Sequence, residues 1–161
     1  MQTKFNIEKL NTLISNLKEK KTVDVGIFKD KSIVDGNIDL AGIGLVQEKG
    51  SVINNTPPRS FLETPLQERL SEDIKNANLL DENLEIDYNS IGKEVQQIVK
   101  NSFDTFGGRS WSKNALITIH GGWMKNKKSG KPFKAEGKGF DAPLTNTGRL
   151  KNSMDYRVVK D

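Results

Sequence analysis

The stretch from Ser90 to Phe106 constrains this chain most. Ile91, Val95, Ile98, Val99, Phe103 and Phe106 recur at the helical period, and Gly107-Gly108 stops the pattern. An apolar stripe of that length has to be covered by something. Thr22 to Lys29 reads as a strand, with Val23, Val25 and Ile27 alternating with Thr22, Asp24 and Gly26. Tyr156 to Val159 reads as a last strand. The expectation is an α+β domain spanning 1–161, in which a small, mainly antiparallel sheet including both strands packs against the long helix.

The flanking segments carry weaker patterns. Phe5 to Lys20 reads as an amphipathic helix whose Ile7, Leu10, Leu13, Ile14 and Leu17 stripe is expected in the core. Lys29 to Asn37, with an Asp35-Gly36 turn signal, is expected to project as a polar loop. Ile38 to Lys49 reads as a short helix ending at Gly50, although Gly42 and Gly44 each cost about 1 kcal/mol inside a helix. Gly26 is expected to permit a bulge or a close backbone approach. Pro57-Pro58 stiffens the entry to a helix over Phe61 to Lys75, with Pro65 in its first turn. Asn76 to Asn89 is acidic and aperiodic. Residues 109–143 are expected to form a long basic loop containing Trp111, Trp123, Phe133 and Phe140. Either part of Ala115 to Met124 is helical or extended, or the region is a mobile loop that docks elsewhere. Thr147 reads as the N-cap of a short helix through Met154.

Composition narrows the chemistry. Only 34% of the 161 residues are hydrophobic, 29% are charged, and the mean hydropathy is −0.60. Either a small core carries long solvated loops, or some segments become ordered only against other subunits. The lack of cysteine excludes disulfides, thiolate zinc sites and cysteine nucleophiles, and His120 as the single histidine excludes any site needing two imidazoles. No apolar run approaches the ~20 residues of a membrane helix, and the first residues lack a signal-peptide core. A soluble protein made in a cytoplasm, with no membrane partner, is expected. The net charge of +4 is polarised: the 63–87 segment is acidic and the 109–138 segment basic. Head-to-tail contact between copies, contact with nucleic acid, and two solvated loops of opposite sign all fit that pattern.

The familiar catalytic signatures are missing from the sequence. There is no phosphate-binding GxxxxGK[ST] loop, and Gly42 and Gly44 do not complete GxGxxG. His120-Gly121-Gly122 has no GxSxG partner, since Gly108-Arg109-Ser110-Trp111-Ser112 fails at its last position. No catalytic, cofactor-binding or metal-binding residues are expected, and no enzymatic activity. Two rival readings remain: a small hydrolase using His120, and a nonspecific DNA-binding module using the basic stretch and its aromatics.

Two ordered clusters carry a resemblance. The first runs Val23-Asp24-Val25-Gly26-Ile27-Phe28, then Gln47-Glu48-Lys49-Gly50, then Pro57-Pro58-Arg59-Ser60-Phe61-Leu62. The second is a helix followed by Trp111, then Pro143-Leu144, Thr147-Gly148-Arg149-Leu150 and Ser153. Together they resemble the VxVGxF…HExG…PPRxF and W…PL…TGxLxxS patterns of the HK97 gp10-like tail-completion family and related bacteriophage virion-morphogenesis proteins. Gln47 stands where that family often has histidine, and the segment between Trp111 and Pro143 is longer and more basic. The resemblance implies a structural protein of the virion neck that completes the tail and joins it to the head. A tail-terminator or stopper ring is the neighbouring alternative. Its implied partners are copies of itself in a ring (a hexamer), a head-side connector or stopper, and a tail-terminator protein, with nonspecific contact to packaged DNA. Arg59 is expected to make forked contacts, either within its own domain or across subunits. The interface candidates are Pro57, Pro58, Arg59, Phe61, Trp111, Lys125, Lys127, Lys128, Thr147, Gly148 and Leu150.

Overall fold

A computed structural model describes residues 7–18, 21–34, 38–76, 79–81, 85–145 and 147–160. The expected α+β architecture is present. The long helix α5 (Tyr88–Asp104) packs across an antiparallel pair formed by β1 (Lys21–Gly26) and β6 (Asp155–Lys160), in register from Lys21↔Lys160 to Gly26↔Asp155. Asp87 caps α5, its carboxylate accepting from Asn89 N, Ser90 N and Ser90 Oγ. Those bonds, the Ser90 hydroxyl's first, hold Asp87 below the usual carboxylate range. At its other end α5 stops short of Phe106, which has φ +51°, and the chain turns through Gly107 and Gly108.

The close fit of α5 to the sheet depends on Gly92. A Cβ there would stand 2.1 Å from the Tyr156 ring of β6. Gln96 joins the same two elements by donating to Asp155 Oδ1, and it also donates to Met154 O just before β6. On its other flank α5 meets α4 (Glu63–Asn76), which has Pro65 in its first turn. The core gathers between them: Phe61, Val99, Phe103, Trp111, Leu150 and Met154. Phe103 tilts against Phe61 at 5.0 Å between centroids and meets Trp111 edge-on at 5.8 Å, geometries favoured by the ring quadrupole. Helix α3 (Leu40–Lys49), capped by Asp39 and ended by Gly50 at φ +76°, lays Gly44 against Phe61 and Leu150.

Several expectations need correction. Of the stripe of α1 (Ile7–Lys18), Ile7, Leu10 and Ile14 are exposed and not core, and α1 makes no extensive contact with another element among the described residues. Leu13 and Leu17 have no described side-chain environment. The first strand stops at Gly26, and no other residue comes within 4 Å of a Cβ built there, so no close approach explains that glycine. Lys29 to Asn37 is not all loop, since Lys29–Ser32 makes a helical turn and Ile33–Val34 pairs with Ile38–Asp39. The Asp35-Gly36 turn lies outside the described residues. Gly148, in the left-handed conformation, is the N-cap of the short helix Arg149–Asn152, and Thr147 precedes it.

Residues 109–143 are a folded arm: the long loop needs correction, while of the two readings of Ala115 to Met124 the helical or extended one holds. A short helix, α6 (Leu116–His120), leads into an antiparallel hairpin of β4 (Gly121–Lys125) and β5 (Pro132–Glu136). Asn126 builds the tip, its side chain accepting from Lys128 N and Ser129 N, with Gly130 at φ +68°. The base is drawn shut by Asn114, which donates through N and Nδ2 to Asp141. A Cβ on Gly137 would meet the backbone of residues 119–121 at 2.4 Å, so that crossing needs glycine. Gly and Lys obscured the period-2 pattern, and the turn at Asn126 carried the signal instead.

Candidate assembly interface: a buried brace and the surfaces beside it

The residues of the PPRxF-like cluster converge on a brace inside the chain. Glu48, near the end of α3, is 8% exposed. Its carboxylate accepts from Ser60 Oγ (2.6 Å), Phe61 N (2.8 Å), Leu62 N (3.0 Å) and Glu63 N (3.0 Å). Those amides are the unsatisfied donors at the start of α4, where the helix dipole also favours an anion. Ser60 Oγ in turn accepts from Thr64 N. One acidic side chain from α3 therefore caps a helix thirteen and more residues further on.

Arg59 is the second half of the brace. It is 7% exposed and donates Nε to Ser112 O (3.0 Å), Nη2 to Lys113 O (3.1 Å) and Nη1 to Gln47 Oε1 (3.3 Å). Its own amide donates to Gln47 O. Burial pulls its pKa down, partly offset by nearby Asp141, but a guanidinium stays charged in proteins. Trp111 Nε1 donates to Ser60 O. Of the two roles expected for Arg59, the structure shows contacts within its own domain. Gln47 occupies the position where the resembled pattern often has histidine, and its amide oxygen accepts from Arg59.

The brace divides the surface. Pro58, Ser60 and Trp111 line a pocket of about 220 Å³ together with Pro65, Glu68, Arg69, Ile98, Gly107 and Gly108. Pro57, Arg59 and Lys113 line a cleft of about 1040 Å³ under the arm, with Ile43, Met124, Ala135, Lys138 and Arg149. Along 57–60 successive residues thus face opposite sides, as an extended backbone requires, whereas Ser110 and Trp111 both face the pocket before the chain crosses to the cleft at Lys113. At the arm's base Lys138 bonds to Ala142 O and sits over Phe140; burial lowers its pKa and Asp141 offsets part of that.

The interface candidates therefore separate. Phe61, Trp111 and Leu150 belong to the core and Arg59 to the brace, so all four are buried, with Trp111 8% exposed where it lines the pocket. Pro58, Lys125, Lys127, Lys128 and Thr147 are exposed, with Pro57 and Gly148 half-buried. Lys127 reaches across the cleft to Ile53 O at 3.4 Å. His120 is exposed at the end of α6. Among the described residues no group of three or more His, Cys, Asp or Glu could hold a metal ion, and no helix is long and apolar enough to cross a membrane.

Two residues that matter were not singled out from the sequence as candidate site residues. Glu48 stood in the quoted motif, but a buried carboxylate serving a distant helix leaves no local spacing. Trp123, 73% exposed on the arm, could be placed on a face only once the hairpin register was known. No protein-family model, curated protein or solved structure matches the chain.

Proposed function

We propose that this chain is a structural protein of the neck of a tailed bacteriophage, completing the tail and joining it to the head connector as one subunit of a ring. What supports the reading is the convergence of the resembled motif on one place. Gln47-Glu48, Pro57-Pro58-Arg59-Ser60-Phe61 and Trp111 form a single brace, and Leu150 packs in the same core. A motif used this way is a fold signature, as expected of a scaffold that carries its contacts on projecting parts. In support, α1 and the arm expose Ile7, Leu10, Ile14, Trp123, Met124 and Phe133. Apolar surface of this kind marks contact sites.

Electron microscopy of lysates from a phage lacking the gene tests the proposal. Filled heads beside unattached tails, restored by the intact gene, are the expected result. Intact infectious particles would remove the neck role. A DNA-contacting role is favoured by one observation, the exposed Lys125, Lys127, Lys128, Lys131 and Lys134 around exposed Trp123 and Phe133. It predicts salt-sensitive retardation of naked DNA by the isolated chain.

A further inference from the structure

We infer that the arm of one copy docks on a second copy, seating Trp123 in the pocket between α4 and α5, with Lys125 and Lys134 against Glu68 and Glu72. The inference deepens the ring reading and rests on it only for its biological setting.

The hairpin register puts Trp123 opposite Lys134, and the strand period brings Lys125 to the same face. Glu136 shares that face at the arm's base, away from the tip. A large aromatic flanked by two cations is thereby held on a preformed, laterally unsupported hairpin. Two-stranded hairpins are marginal alone in water, and an exposed Trp gains most from a closely fitting, dehydrated pocket.

The receiving pocket has the complementary character. Its apolar walls are Pro65, Ile98 and Trp111, and Glu68 and Arg69 stand on α4 beside them. Glu72 lies one helical turn beyond Glu68 and is exposed. At about 220 Å³ the pocket is below the roughly 300–1,000 Å³ of small-molecule sites and suits a single side chain. Arg69 adds a positive charge there, but its planar guanidinium can stack on an indole.

The arm cannot fill this pocket in its own chain. It overhangs the cleft lined by Pro57, Arg59 and Lys113, and the pocket opens on the other side of the brace, beside Pro58, Ser60 and Trp111. The donor and acceptor surfaces are different patches. Contact between unlike patches of identical chains propagates head to tail and closes into a ring when the rotation allows. The rim charges make the contact salt-sensitive.

Sedimentation velocity on the full chain tests this with two variants. Trp123→Ala removes the donor, and Glu68→Lys with Glu72→Lys spoils the acceptor. The wild type should self-associate with concentration, less at high salt, and each variant should associate about tenfold or more weakly. Mixing the variants is decisive, because the first keeps an intact pocket and the second an intact arm. The mixture should form a one-to-one dimer and nothing larger. A mixture that stays monomeric, a wild type that never associates, or association untouched by Trp123→Ala would overturn the inference. So would a monomeric wild type whose arm binds DNA through Trp123. Self-association of this form in a chain dispensable for phage assembly would sink the neck reading and leave the contact standing.

Discussion

At the scale of single residues, Glu48 couples parts of the chain that sequence distance separates. Its carboxylate satisfies three backbone amides and a hydroxyl at once. Replacing it with alanine leaves those buried donors without an acceptor, and bonds to a charged group contribute about 1.5–3 kcal/mol each before coupling between them is counted. Because the donors share one acceptor and water can reach some of them, Glu48→Ala is expected to cost about 3–4 kcal/mol. With a urea slope of about 1–3 kcal/mol per M, the unfolding midpoint should fall by about 1–4 M. Glu48→Gln, which keeps one acceptor oxygen but turns an amide NH2 toward other donors, should lie between. A change of under about 0.5 kcal/mol for Glu48→Ala would show that Ser60, which also accepts from Thr64 N, caps α4 adequately by itself.

Elements were legible where one physical pattern governed them. The stripe of α5, the alternation of Val23 and Val25, and the stop at Gly50 each reflect a local period or a backbone conformation, and each stands where expected within a residue or a few. The arm was hidden because glycine and lysine fill positions that a strand normally gives to apolar residues. Its base depends on glycines at 121 and 137, whose need is set by a backbone crossing that spacing cannot show. Gly92 is the same lesson inside a helix. By propensity alone, Gly92→Ala should stabilise α5 by about 1 kcal/mol. The added Cβ would stand 2.1 Å from the Tyr156 ring, so β6 must shift or the ring must leave its place. Overpacking of that kind costs about 1–3 kcal/mol, and after the propensity gain a net loss of up to about 2 kcal/mol is expected in urea or thermal unfolding. The loss should shrink when Tyr156→Ala is introduced with it, because the clash is removed. Additive effects of the two changes would mean that Tyr156 does not hold this position in solution.

At the scale of the molecule, the sequence left two accounts of the polar composition open, and the small core of the first is present. The core is small and draws on residues between Phe61 and Met154. Much of the remaining apolar content sits on α1, on the 51–56 turn and on the arm, where Ile14 is 43%, Val52 99% and Trp123 73% exposed. Hydrophobic burial is proportional to area removed from water, so these groups contribute little to the stability of the isolated chain. Phe103→Ala, in the centre of the core, is expected to cost about 3–5 kcal/mol. Ile14→Ser and Val52→Ser should each change unfolding free energy by less than about 0.5 kcal/mol. If Ile14→Ser instead costs as much as a core change, α1 folds back on the body in solution, and its stripe is the missing layer that the sequence pattern asked for. If both serine variants unfold like the wild type, apolar side chains are being held in water at no gain to the monomer. Such surface stays soluble only at modest concentration, and natural chains use it where another chain covers it. A serine variant with normal stability and weakened self-association would then assign its side chain to contact between copies.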